Sequence, residues 1–346
     1  MKRLTFGLVL LVIMVFVLGC NKDEDSSAVE TEISPEETVD TPEPEPIKEE
    51  PQNTFPLTGV ATDDDIDYRV FGVMIENSRA ARPQSGLYQA DLVYEVLSEA
   101  TITRLLAFYH SEKPEIIGPV RSARDYYINL NNGYNGIYVS AGGSPQAFAM
   151  FERGQVDYIS GLEFDGSYFY RSSARKAPHN MYTTYDDLIK AAERKNRSLI
   201  DEVPSLPFLE EGIAVQGKQA SEVAINYGSS SNNVVYKYDD ENNKYIRIIG
   251  GKQSLDLETE NPVLIDNLFI VEMTHKVIDK VGRREIDIYS GGKGLLLQNG
   301  VYQVVEWKNE GGQILPFQNE KSLGFVQGKT WINVVPHLDG NVSIID

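Results

Sequence analysis

The sequence predicts an α+β protein, with an N-terminal mixed α/β domain over 57–214 followed by a smaller β-rich domain over 215–346. Three observations predict it. Strand-like runs at 68–76, 91–99, 103–110 and 135–142, rich in β-branched and aromatic residues, are mixed with helical patterns at 122–132, 145–153 and 183–196. After "DEVPSLPFLEEG" (201–212) the pattern becomes strand-like, with turns at short spacing. No repeat of solenoid length interrupts either part.

The elements have local reasons. Helix 145–153 follows Ser144 as N-cap and Pro145 as a first-turn residue, and helix 183–196 has Thr183 and Thr184 as N-cap candidates. In the second part, 234–251 reads as a hairpin with a polar turn at Asp240–Asn243. Runs 262–278 and 284–292 continue the strands, and 294–307 holds an Asn299-Gly300 hairpin signal. Residues 323–336 read as a last strand pair.

The net charge of −19 is uneven: residues 1–19 carry +2, residues 21–56 carry −10, and −11 remains for 57–346. So acidic a chain repels phosphate backbones, which argues against nucleic acid as a partner. Lys2 and Arg3 precede the apolar run "LTFGLVLLVIMVFVLG", which ends at Cys20, the single cysteine. "VLGC" has the form of a lipobox, so 1–19 reads as a lipoprotein signal peptide and Cys20 as the lipidated residue. A diacylglyceryl group plus an amide-linked acyl chain of the palmitate kind would anchor it to the membrane stably. The competing reading is an uncleaved anchor helix that happens to end at a cysteine. Residues 20–56 are rich in Glu, Pro, Ser and Thr and nearly free of apolar residues, so they read as a disordered acidic tether. With one cysteine there is no internal disulfide. Neither H-E-x-x-H nor C-x-x-C occurs, and neither a metal nor a cofactor is expected.

Three constellations are candidate sites. In "GPVRSARDYYINL", Ser122 and Asp125 have the spacing of a capping box. Arg121 and Arg124 do not fit a helix start, which is already electropositive, and they need anionic partners. Those partners are either internal carboxylates or a bound ligand. In "IYVSAGGSPQAF", Gly142, Gly143 and Ser144 form a βα turn able to receive an anion, with neither the lysine of a P-loop nor a G-x-S-x-G. In "YFYRSSARKAPHNMYTTYDDL", Arg171, Arg175, Lys176, His179 and Asn180 gather in one basic loop, and His179 is the best acid–base candidate. The segment "ENSRAARPQSG" adds Asn77, Arg79 and Arg82. Glu95 and Glu99 on one strand are expected to share a face, as a glycosidic carboxylate pair or as partners of arginines. Trp307 and Trp331 read as core.

The stretches "ENSRAARPQSGLYQADLVYEVLSEATITRLLAFYHSEKPEIIGPVRSARDYY", "GGSPQAF", "RKAPHNMYTT", "YKYDDENNKYIR" and "QGKTWINVVP" resemble the YerB-like family of bacterial lipoproteins over about 62–340. The resemblance implies a lipobox, a tether, an α/β-type domain and a β-rich domain, mostly in Gram-positive bacteria, with no assigned activity. Ser140 departs from the family's pattern, in which a histidine often precedes "AGGSP".

Three functions follow. The first is a non-catalytic envelope-binding module on the outer face of the cell membrane. It would take an anionic cell-wall polymer or a partner protein through Arg121, Arg124, Arg171, Arg175, His179, Asn180 and the Gly142–Ser144 turn. The second is a cell-wall hydrolase or lyase using His179 or Glu95/Glu99. The third is a scaffold whose arginines pair internally.

Overall fold

In the computed structural model, which describes residues 51–345, four of the expected strands form the N-terminal part of a twelve-stranded mixed sheet. They are β1 (Phe71–Glu76), β2 (Leu92–Glu99), β3 (Ile102–Tyr109) and β4 (Ile137–Ser140), with β5 (Tyr158–Ser160) added at the edge. The helices are α1 (Asp125–Asn132), α2 (Pro145–Glu152) and α3 (Tyr185–Arg194). The later strands are β6 (Glu222–Ile225), β7 (Val234–Asp239), β8 (Lys244–Ile249), β9 (Asn267–Glu272) and β10 (Gly292–Gln298). They continue with β11 (Val301–Glu310), β12 (Gln313–Gln318), β13 (Thr330–Val335) and β14 (Val342–Ile345). The chain is thus α+β and mostly sheet. The expected signal segment, Cys20 and the expected tether through residue 50 lie outside the described residues. The tether's expected end at 56 is corrected, because Asn53–Thr54 pair with Ala61–Thr62 and Phe55 is buried. Among the described residues no helix is long and apolar enough to cross a membrane.

The large sheet runs β12-β11-β10-β9-β13-β2-β3-β1-β4-β5, with one two-residue strand added at β12 (Lys321–Ser322) and one at β11 (Lys218–Gln219). Strand β13, from near the C-terminus, lies parallel between β9 and β2. One sheet therefore takes strands from both sides of residues 214–215. A six-stranded second sheet holds β8-β7-β6-β14, with Lys252–Gln253 and Leu264–Ile265 both paired to β8.

The central strands are buried on both faces, which is why they read as nearly unbroken apolar runs. On one face Val73, Val93, Leu97 and Leu105 pack with Leu188 and Ala191 of α3 and with Val223, Val234 and Tyr245 of the second sheet. On the other, Met74, Tyr94, Leu106 and Phe108 pack with Tyr127 and Leu130 of α1 and Phe151 of α2. Trp307 and Trp331 are core residues, as expected.

Local chemistry sets the helix starts. Thr184 caps α3 by accepting from the Asp187 amide at 2.9 Å, and Ser144 caps α2 by accepting from Ala147 at 3.2 Å. Helix α1 differs from the expectation. It begins at Asp125 with Arg124 in the N-cap position and no side-chain cap. The Ser122 hydroxyl instead donates to the Ala141 carbonyl at 2.9 Å, because residues 121–123 run extended beside the β4–α2 turn. The Ser122/Asp125 capping box is therefore not formed. Residues 323–336 hold one full strand, β13, with Phe325 making only an isolated bridge to Phe208. Strand β14, which pairs with β6, was not foreseen.

Two buried titratable groups give this fold a pH signature of opposite signs. Asp91, at the start of β2, is fully buried, and burial raises its pKa from 3.8 to about 6, against hydrogen bonds from Ser111 and the His110 amide. The folded state holds the proton more tightly than the unfolded chain. Asp91 therefore destabilises the protein by about 3 kcal/mol once pH has risen from about 4 through about 6. His275 is held neutral, pushed down to about 4 chiefly by burial. Its contribution is complete above about pH 6.5 and is lost as pH falls through about 4. The expected result is that Asp91→Asn gains stability relative to the parent as pH rises from about 4.5 to 7. Urea midpoints at the two pH values check this, and an unchanging difference would refute it.

Candidate functional site

Strands β1, β4 and β5 are mutually parallel, so their carboxyl ends lie side by side. In open sheets with parallel strands this edge is where ligands are usually received. Glu76 ends β1, the Gly142–Ser144 turn follows β4, and Gly161 and Leu162 follow β5. The segment 118–123 is laid across these ends. Arg121 N donates to Met74 O at 2.8 Å, Ala141 N to Arg121 O at 2.9 Å, and Ala123 N to Gly142 O at 2.8 Å. Gly142 has φ +82, and a Cβ there would lie 3.3 Å from Leu162 Cδ1, so the close turn depends on glycine.

Arg121 and His179 meet on one carboxylate. Arg121 Nε contacts Glu76 Oε2, and His179 Nδ1 lies 3.7 Å from the same oxygen. The Ser78 hydroxyl lies 3.4 Å from His179 Nδ1. Burial lowers the pKa of Arg121, with Glu76 opposing. The His179–Glu76 separation exceeds the roughly 2.6–3.2 Å at which an acid–base pair works. The cluster is a held ion pair with a histidine at its margin.

Arg124 is directed elsewhere. Its Nη2 contacts Glu99 Oε1, and Arg104 Nη2 binds both oxygens of Glu99 at 2.9 and 3.0 Å. Arg171 donates to Asp165 at 2.9 Å and to Asn180 Oδ1 at 3.2 Å. Among the described residues Arg175 binds only backbone carbonyls, those of Ala80 at 3.3 Å and of Pro83. The structure therefore joins Arg121 with His179 but separates both from Arg124. Arg121, Arg124 and Arg171 each contact an internal carboxylate, Glu76, Glu99 and Asp165 respectively.

Glu95 and Glu99 do not share a face. The pairing of β2 with β3 slips between Leu97 and Glu99, so one extra residue turns Glu99 to the opposite side. Glu95 is fully buried. Its Oε2 accepts from Arg247 Nη2 at 2.8 Å and from Trp331 Nε1 at 3.2 Å, and its Oε1 accepts from Thr103 at 2.9 Å and Asn77 at 3.1 Å. The expected carboxylate pair is dismantled by this bulge.

Sequence reasoning missed Arg247, Lys252 and the role of Arg82. Arg247 had a signal: in "KYIRII" it occupies the same alternate phase as Tyr245 and Ile249, which face the core, so it demanded a buried partner. Arg82 donates to Asn77 O at 2.6 and 2.9 Å, to Ser231 O at 2.6 Å and to Asn232 Oδ1 at 2.9 Å. It joins the 77–83 loop to the second sheet's loops and borders a cavity of about 950 Å³ with Arg79 and Lys252. Among the described residues no group of three or more His, Cys, Asp or Glu is arranged to hold a metal ion.

Comparison with known proteins adds relatives. Residues 57–198 match the family described as "Protein of unknown function (DUF3048) N-terminal domain", and residues 223–332 match the corresponding C-terminal domain. The Bacillus subtilis (strain 168) protein named "Putative lipoprotein YerB" is 46% identical over 287 residues, which is 82% of this chain and 86% of that protein. A crystal structure of the YerB protein from Bacillus subtilis is similar with a TM-score of 0.80 and 45% identity, covering 85% of this chain and 100% of that one.

Proposed function

This chain belongs to the DUF3048 family, and from that premise we propose that it is a lipid-anchored envelope protein whose folded part is a non-catalytic binding module for an anionic envelope ligand. The carrying observation is a set of cations without counter-charges. Arg79 and Lys176 are exposed, Arg175 is half-buried, and among the described residues none of the three has a carboxylate within ion-pair distance. In a chain of net charge −19, such a local excess is a place for an external anion. Anchoring through Cys20 rests on the lipobox and on the relative's name, and the acidic tether would hold the module away from an anionic membrane surface. The α/β segment 57–214 and the β-rich segment 215–346 would act together, since they share the large sheet. A hydrolase has less support, because Glu76, Glu95 and Glu99 are each engaged by arginine.

The test is co-sedimentation of the full chain, in detergent, with purified cell wall. Binding is expected at about 50 mM salt and loss of binding at about 0.5 M, where the screening length is only a few ångströms. Lys176→Glu is expected to weaken it. Soluble wall fragments released by the protein would overturn the non-catalytic reading, and absence of binding at low salt would overturn the module itself.

A further inference from the structure

The cavity behind the 77–83 loop differs in charge from a second pocket that also carries cations. That other pocket, of about 560 Å³, is lined by Lys244 and Lys329, but each lysine is paired with a carboxylate, Asp266 and Glu112 respectively. The 950 Å³ cavity is lined by Arg79, Arg82 and Lys252, and no aspartate or glutamate is among its lining residues. Among the described residues none of these three cations makes an ion pair.

Arg82 is the telling member. Its guanidinium is half-buried and held entirely by neutral acceptors. Burial, and then repulsion from Arg247, lowers its pKa to about 10, so it remains charged at neutral pH. The nearest buried carboxylates are spoken for: Glu95 by Arg247 and Glu76 by Arg121. Four of its five N–H groups are used in those bonds, which fixes the head in place and leaves one N–H on Nη1. A positive charge fixed in a partly desolvated wall has a larger effect on an incoming anion than one waving in solvent.

The rest of the lining suits a polyhydroxylated partner. Ser230, Ser231 and Gln253 offer hydroxyl and amide groups around the cations. The β8 turn passes through Gly250 (φ +58) and Gly251 (φ +76), and nothing lies within 4 Å of where a Cβ on Gly251 would be. The wall on that side is bare backbone and leaves room for a ligand. The volume is of the size that accepts a ligand of one or two sugar units.

We infer that this cavity binds a sugar or polyol phosphate, with Arg79, Arg82 and Lys252 around the phosphate and Ser230, Ser231 and Gln253 facing the hydroxyls. The inference rests on the binding-module reading above and names its ligand class. A free sugar phosphate and the repeating unit of a phosphodiester polymer carry the same chemistry, and both are probed.

The experiment is calorimetry on the full chain in detergent with glucose 6-phosphate, glucose and poly(glycerol phosphate). Glucose 6-phosphate is expected to bind and glucose is not. Lys252→Glu is expected to weaken phosphate binding about tenfold or more, the scale of one charge-assisted contact turned to repulsion. Ser230→Trp, at an exposed position, is expected to block the cavity without altering charge. Tighter binding of poly(glycerol phosphate), per phosphate, than of glucose 6-phosphate identifies the polymer as the source, and equal or weaker binding identifies the free compound. Equal binding of glucose and glucose 6-phosphate, or phosphate binding indifferent to both variants, overturns the inference. Wall co-sedimentation of the same variants separates the two readings. Wall binding that survives both variants while no sugar phosphate binds defeats the cavity and leaves the module.

Discussion

Glu95→Ala is expected to destabilise the protein by about 3–5 kcal/mol, because it strands a buried guanidinium. Glu95 and Arg247 are both fully buried and meet at 2.8 Å. Burial opposes the charge on Arg247, but Glu95 and the Tyr236 hydroxyl more than offset it, so its pKa stands above its ordinary value. The head also lies 4.9 Å from the Trp331 ring and donates to Ser254 at 2.9 Å. Glu95, Arg247 and Trp331 come from β2, β8 and β13, so the pair ties the second sheet to the middle of the first. Guanidinium denaturation would measure the loss. The diagnostic comparison is Glu95→Leu with Arg247→Met, which removes both charges and is expected to recover most of the stability. A single Glu95→Ala loss below about 1 kcal/mol would show that Arg247 is not held as a buried cation.

The elements visible in the sequence were those with one dominant local cause. Thr184 and Ser144 announced helices through capping, and the apolar runs that became β1, β2 and β3 announced doubly buried strands. What escaped was non-local. No periodicity places β13 beside β2, since the residues that pair, such as Trp331 with Val93, lie far apart in the chain. The Ser122/Asp125 reading failed because the β4–α2 turn offered the Ser122 hydroxyl a carbonyl that local spacing cannot reveal. The one-face expectation for Glu95 and Glu99 failed because period-two reasoning presumes an unbroken ladder. The expectation that Arg121 and Arg124 need anions was legible from helix electrostatics, but which anions was not.

The strongest consequence of that need concerns Glu99. Arg104 and Arg124 are nearly buried, and Glu99, about a fifth exposed, is the carboxylate both contact. Arg124 also stands at the start of α1, where the helix dipole disfavours a cation. Glu99→Gln leaves two guanidiniums facing each other and the helix end with no anion between them. The expected loss is about 3 kcal/mol, less than for a pair wholly out of water, because Glu99 is reached by solvent. Burial lowers the pKa of Arg124, and loss of the carboxylate it contacts would act in the same direction. Adding Arg124→Gln to Glu99→Gln is expected to restore part of the loss, since the second change removes one of the stranded charges. In a double-mutant cycle the coupling should fall within about 1–3 kcal/mol. A catalytic Glu99 predicts the reverse: near-parental denaturation midpoints for Glu99→Gln, with any wall-degrading activity gone. Additive losses in the cycle would mean that Arg124 finds its anion elsewhere, and the ligand question at "GPVRSARDYY" would reopen.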